Sequence, residues 1–316
     1  MATFREITAA YVAERQALGF KVEKAEGAMR RICALHDEMG CRQDALPKGI
    51  VEAWCEIRPG EAESNRMLRV SWMRGLAKFM VRTGFDAYVP PRGRGRGGAS
   101  PYEPHIFTNH ELAALFSAAD RIAGEDVACQ RAQAALVLRL LYSTGMRCGE
   151  ACSLEKGDVD LDAGVLRVRN AKNGRERVVP MHPSVAERMG VLKGTAEHAH
   201  PQYASHARFW SLPEGRQLTR GYVYSFFRSA LWEAGIPHGG RGRGPRVHDI
   251  RFTYACHRLR RWVEEGADVN SKMPVLAAYM GHADTRCTEY YLRLTAELYP
   301  GMVDQVERAC GWVVPS

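Results

Sequence analysis

Residues 90–104, PPRGRGRGGASPYEP, divide this chain. The stretch combines Pro, Gly and Arg with almost nothing apolar, so it cannot bury a core and reads as a flexible linker. Folding must then proceed separately on either side, in a first domain over residues 1–89 and a second over residues 105–316. A length of 316 residues suits two domains and excludes a mini-protein stapled by disulfides. The chain is 46% hydrophobic and 25% charged, which is the balance of a globular protein and not of a disordered one.

No long apolar run suggests a membrane span, and the N-terminus, MATFREITAAYVAERQ, carries charges where a signal peptide needs an apolar core. A cytoplasmic protein with no membrane partner is expected. The nine cysteines have no paired short spacing and read as reduced thiols. Cys148 and Cys152 come nearest to a metal spacing but lack a second pair, so neither a metal nor a cofactor is expected. There are 44 Lys and Arg against 36 Asp and Glu, a formal charge of +8 that points weakly to a polyanion. Both halves are mildly basic.

Before the linker, residues 6–18, 22–39 and 63–83 show apolar residues three and four apart, which predicts a small all-α domain. In the third segment Met67, Val70, Met73, Leu76, Phe79 and Met80 form an apolar stripe, and Arg66, Arg69, Arg74, Lys78 and Arg82 mark the remaining surface. Arg66, Arg69 and Arg74 are candidate DNA contacts there, as are Arg92, Arg94 and Arg96 in the linker. After the linker, Thr108 and Glu111 fit a capping box with Phe107 and Leu112 as its hydrophobic staple, so a helix should begin near Asn109. The apolar stretch 132–142 reads as a buried helix ending at Gly145. Residues 164–169 and 176–181, with Asn173-Gly174 between them, predict a hairpin. Further helices are expected over 184–193, 219–234, 248–264, 273–280 and 286–297.

Five short stretches carry chemistry: Thr144-Gly-Met-Arg147-Cys-Gly-Glu150, Lys172 in the hairpin loop, His248-Asp-Ile-Arg251 at a helix start, Met280-Gly-His282, and Glu289-Tyr290-Tyr291. Each alone has an ordinary explanation as a surface ion pair, a cap or a core aromatic. Together, two Arg, two His, a Lys and a Tyr are what phosphoryl transfer without a metal requires. Arginine grips a phosphate bidentately and stays charged at any working pH. Tyrosine can store the bond energy in a covalent phosphotyrosyl intermediate, and histidine moves protons near neutrality. The motifs show no carboxylate cluster of the two-metal kind.

In this order, the motifs TGMRCGE, AKNGRERVVP, HDIRFTYA and YMGHADTRCTEYY resemble the tyrosine recombinase (phage integrase) family, over about residues 104–295. The family carries an Arg in a TG-x-R-x-x-E turn, a Lys in a β-hairpin before an ER-x-VP strand, an H-x-L-R-x-T helix start, and an LGH followed by the Tyr. The resemblance implies a mainly α fold with a small antiparallel β-sheet, in which an all-α core-binding domain precedes an α+β catalytic domain. It implies that Arg147 and Arg251 clamp the scissile phosphate and that Lys172 protonates the leaving 5′-oxygen. His248 would assist proton transfer, His282 would hydrogen-bond the phosphate, and Tyr291 would attack it. The implied partners are double-stranded DNA, held in a clamp, and three further copies of the chain, coupled through the C-terminal tail. The tail could equally pack on its own domain.

Some features depart from the pattern. Tyr290 stands next to Tyr291, and the spacing from His282 favours Tyr291 as nucleophile. Phe252 replaces the family's common His. The stretch GADVNSKMPVLAAYMGH is longer than in compact Xer proteins and looks closer to integrases of mobile elements. A second Arg/Gly loop, residues 238–246, adds Arg241 and Arg243 as candidate DNA contacts. Two alternatives to a recombinase stay open on the residues alone: a topoisomerase with the same chemistry, and a DNA-binding protein that kept the fold without catalysis.

Overall fold

A computed structural model describes residues 2–20, 22–91, 103–169, 176–199, 201, 207–212, 215–240, 244–281, 290–291 and 295. The chain forms two compact units that divide between Pro101 and Tyr102.

The first unit is built on α1 (Phe4–Ala17), α2 (Glu23–Glu38), α3 (Lys48–Cys55) and α4 (Glu63–Arg82). Thr3 and Glu6 form a capping box at the start of α1. The expected stripe on α4 faces inward: Val70 is buried, and Met73, Leu76, Phe79 and Met80 share a core with Phe4, Ile7, Ile32, Ile50 and Trp54. The periodicity reading missed two features. Helix α3 is short, and β1 (Ala45–Leu46) pairs in parallel with β2 (Asp86–Ala87), which ties the chain after α2 to the chain after α4.

The second unit contains α5 (Asn109–Ala123), α6 (Gln130–Thr144), α7 (Cys148–Cys152), α8 (Pro183–Ala199), α9 (Arg220–Glu233), α10 (Asp249–Glu264) and α11 (Val269–Met280). The Thr108 capping box forms as expected, and Phe107 and Leu112 are both buried in the same core. Helix α6 is buried from Ala134 through Leu138 and again at Leu140 and Leu141, because α5, α8, α9 and α10 pack around it. An apolar surface on every side is what a central helix needs. The hairpin strands are β4 (Val165–Val168) and β5 (Arg177–Pro180), antiparallel with Val165 opposite Pro180 and Val168 opposite Arg177. The sequence reading missed a third strand, β3 (Val159–Asp160), which pairs antiparallel with β4. Helix α11 begins at Val269, four residues earlier than expected, because Asp268 caps it by accepting from the Asn270 amide at 3.0 Å. Among the described residues, no helix is long and apolar enough to cross a membrane.

Candidate active site

The turn that ends α6 places the first arginine. Gly145 takes the left-handed conformation (φ +61°) that closes the helix, and its amide donates to the Leu141 carbonyl at 2.9 Å. A Cβ on Gly145 would fall 2.4 Å from Cδ1 of Tyr254, so a larger residue here must displace α10. Two residues on, Arg147 stands at the start of α7. Its guanidinium donates to Glu150 Oε1 at 2.9 Å, and its amide donates to Glu150 Oε2 at 3.0 Å.

Arg251 lies in the first turn of α10 and is 2% exposed. A buried guanidinium must have its donors satisfied. Nη1 donates to the Gly145 carbonyl at 2.5 Å and Nη2 to the Met280 carbonyl at 2.7 Å, and the side chain also hydrogen-bonds Tyr291.

Three arginines meet at the end of α11. Its last carbonyls have no partner within the helix and sit at the negative end of its dipole. Arg177 Nε donates to the Tyr279 carbonyl at 2.9 Å, Arg251 to that of Met280, and Arg147 Nη2 to that of Gly281 at 3.4 Å. The chain is therefore fixed immediately before His282. Glu150 balances this positive charge. Its carboxylate is buried between Arg147 and Arg177, with Arg177 Nη2 at 2.7 Å. Burial alone would raise the Glu150 pKa, but hydrogen bonds from Arg177 and the Arg147 amide, with the Arg177 charge, hold it below the usual carboxylate value.

Tyr291 is buried, and its ring packs edge-on against Phe252 at 5.2 Å between centroids. Its carbonyl accepts from Thr295 Oγ1 at 2.8 Å. Burial raises the phenol's pKa, while the charge and hydrogen bond of Arg251 and the charge of Arg147 pull it back. His248 stands just before α10 and packs edge-on against Phe252, with ring centroids 5.2 Å apart. Burial, then the charges of Arg251 and Arg147, push the imidazole down to about 4, with Glu150 opposing. At neutral pH His248 is therefore uncharged, although one edge stays open to solvent. Phe252, where the family commonly has His, packs against both His248 and Tyr291.

The structure brings together four of the six expected site residues: Arg147, His248, Arg251 and Tyr291. Lys172 and His282 lie outside the described residues, as do Arg92, Arg94, Arg96, Arg241 and Arg243. Sequence reasoning gave no role to Glu150 and Arg177, although both stand in the quoted motifs. Motif spacing cannot show that they pair with each other across 27 residues.

Of the α4 arginines, Arg69 is corrected outright. It is buried in an ion pair with Glu61, donates to the Glu56 carbonyl at 2.8 Å, and lies 5.7 Å from the Trp54 ring centre. It holds α3 to α4 and has no surface to offer DNA. Arg66 donates to the Cys55 carbonyl at 3.0 Å and to Glu63 at 3.2 Å, and Arg74 donates to the Pro90 carbonyl. Both are half-buried.

Comparison with known proteins gives the same reading as the geometry. Residues 105–297 match the phage integrase family. The chain belongs to that family. Its activity is site-specific recombination of DNA, and it is an enzyme of the tyrosine recombinase type. The putative integrase/recombinase y4rB of Sinorhizobium fredii is 30% identical over 98% of this recombinase and 98% of its own length. Tyrosine recombinase XerA of Thermococcus kodakarensis is 30% identical over 51% of each chain. Among solved structures, the Tn1549 transposon integrase in complex with a circular intermediate DNA shares the fold with a TM-score of 0.62 at 16% identity, covering 92% of this chain and 95% of that one. A lambda integrase dimer bound to a core site does so at 0.59 and 18% identity, covering 92% and 95%.

Proposed function

We propose that Tyr291 cuts one strand of double-stranded DNA by in-line attack on a phosphodiester. The bond from Tyr291 Oη to phosphorus forms as the bond from phosphorus to the 5′-oxygen breaks. This leaves a 3′-phosphotyrosyl link and a free 5′-hydroxyl, and attack by a 5′-hydroxyl from a second strand reverses the step. The observation that carries this reading is the hydrogen bond between Arg251 and Tyr291, with the Arg147 charge beside both.

Arg147 and Arg251 neutralise the charge that grows on the phosphorane oxygens. In other phosphoryl-transfer enzymes one such arginine is worth roughly 10³–10⁵ in rate. Tyr291 rests as a neutral phenol, so its proton must leave as the new bond forms. Uncharged His248 is in the state that takes it. Lys172 supplies the proton to the 5′-oxygen, and His282 donates to the phosphate. Assembly as a tetramer on two duplexes, coupled through residues 298–316, belongs to the same proposal.

Capture of covalent adducts from a library of nicked duplexes tests it. Wild type and Tyr290→Phe should form protein–DNA adducts that EDTA does not abolish, and Tyr291→Phe should form none. Adduct from Tyr291→Phe would refute the assignment.

A further inference from the structure

Helix α7 is five residues long and carries Cys148-Gly-Glu-Ala-Cys152 directly after Arg147. Its two cysteines stand one turn apart, with their sulfurs 3.9 Å from each other. Both are free and half-buried. Cys148 also lines a cavity of about 320 Å³ with Arg220 and His248. That is room for a molecule hardly larger than water. A hydrogen bond from the Cys152 thiol, opposed by burial and aided by the Arg220 charge, holds the Cys148 thiol below its ordinary pKa. The same bond, with burial, raises that of Cys152. A thiolate facing a cavity, with a thiol within reach beside it, is the arrangement that captures an oxidant and resolves it into a disulfide.

That disulfide does not fit α7 as it stands. Cβ atoms one helical turn apart lie about 5–6 Å from each other. A disulfide holds them at about 3.5–4.5 Å. The end of α7 is where the chain can yield, because the Ser153 and Leu154 amides donate only three residues back, to the Glu150 and Ala151 carbonyls at 3.2 and 3.3 Å. Glu150 lies between the two cysteines and is the carboxylate that holds Arg147 and Arg177.

We propose that Cys148 and Cys152 form a redox switch on strand cleavage: peroxide oxidises them to a disulfide, whose closure distorts α7 and displaces Glu150 and Arg147 from the site. First the Cys148 thiolate attacks hydrogen peroxide. The O–O bond breaks, and a sulfenic acid forms with release of hydroxide. Then the Cys152 sulfur attacks the Cys148 sulfur, and the oxygen leaves as water with the Cys152 proton. Once the hydroxide is protonated, the dithiol has lost two electrons and the peroxide has become two waters. Strain in the bond makes it easy to reduce, so a dithiol reductant reverses the change. The control of cleavage rests on the reading above, whereas the disulfide does not.

The test compares reduced and peroxide-treated full-length protein, in the nicked-duplex adduct assay and by mass spectrometry after thiol alkylation. Trypsin releases residues 148–156 as one peptide that holds both cysteines. In the reduced protein this peptide should be alkylated twice. After peroxide it should be unalkylated and lighter by two hydrogens. Misplacing a positioned group by about 1 Å costs about 100-fold, so adduct formation should fall by about that factor and return with reductant. Cys148→Ala should form adduct and keep doing so after peroxide. Cys152→Ala should stop at the sulfenic acid, which a dimedone tag on Cys148 reports. A peptide still alkylated twice after peroxide overturns the dithiol site. A disulfide that leaves adduct formation unchanged overturns the switch, as does equal inactivation of Cys148→Ala. Absence of adduct from the reduced enzyme overturns the cleavage reading, and the mass of the peptide then decides the dithiol site by itself.

Discussion

Removing the Glu150 carboxylate isolates what holds the arginines in place. Its side chain is 9% exposed, against 10% for Arg177 and 28% for Arg147. Glu150→Ala leaves two guanidiniums facing each other in a poorly solvated pocket. Breaking a buried pair by deleting one partner costs about 3–5 kcal/mol, and the partial opening at Arg147 places the expected value near the lower end. In a unit of this size each kcal/mol moves the melting temperature by about 2–4 °C, so the catalytic unit should melt roughly 10 °C lower. Glu150→Gln keeps an acceptor while losing the charge and should cost about half as much. Thermal unfolding followed by circular dichroism reads both. The partner supplies a sharper test: in Glu150→Ala/Arg177→Ala the orphaned cation is gone, so the double variant should be less destabilised than the sum of the two singles, by about 1–3 kcal/mol. Additive losses, or a Glu150→Ala protein that melts with wild type, would refute the claim that this carboxylate neutralises the arginine cluster.

Gly145→Ala should destabilise by about 2–4 kcal/mol, because Ala resists the left-handed conformation and its methyl must push Tyr254 aside. Adduct formation should fall further than stability, since the same turn presents the carbonyl that holds Arg251. Lowering the pH should weaken the catalytic unit between about 6.5 and 4. The unfolded chain protonates His248 first, so the stability present above 6.5 is lost as the pH falls toward the folded value of about 4. The full gap would correspond to about 3 kcal/mol, and the imidazole's solvent-facing edge cuts this to about 1 kcal/mol. His248→Gln should flatten that part of the stability–pH curve, and an unchanged curve would show that another group titrates there. Deleting residues 298–316 should weaken assembly on DNA more than binding of a half-site, as gel-shift titration would show, and equal losses would argue against docking between copies.

Much of this fold can be read from short stretches of the chain. The Thr108 capping box, the left-handed Gly145, the inward stripe of α4 and the alternating strands β4 and β5 are each decided by neighbours within a few residues, where hydrogen-bond geometry and side-chain period leave little choice. The same locality explains the errors. Helix α3 and the two-residue strands are too short to show a period, and on α4 nothing near Arg69 in sequence reveals that Glu61 and Trp54 close over it. The types of side chain at the site, and their order, are also a property of the sequence, because the chemistry of phosphate fixes which groups can serve. Tertiary structure decides which of those groups meet. Arg147 reaches a carbonyl 134 residues away and Arg177 one 102 residues away, and Arg251 meets the buried Tyr291. Such pairings exist only once α6, α10 and α11 have packed, since the free energy that holds these charged groups together out of water comes from the core around them.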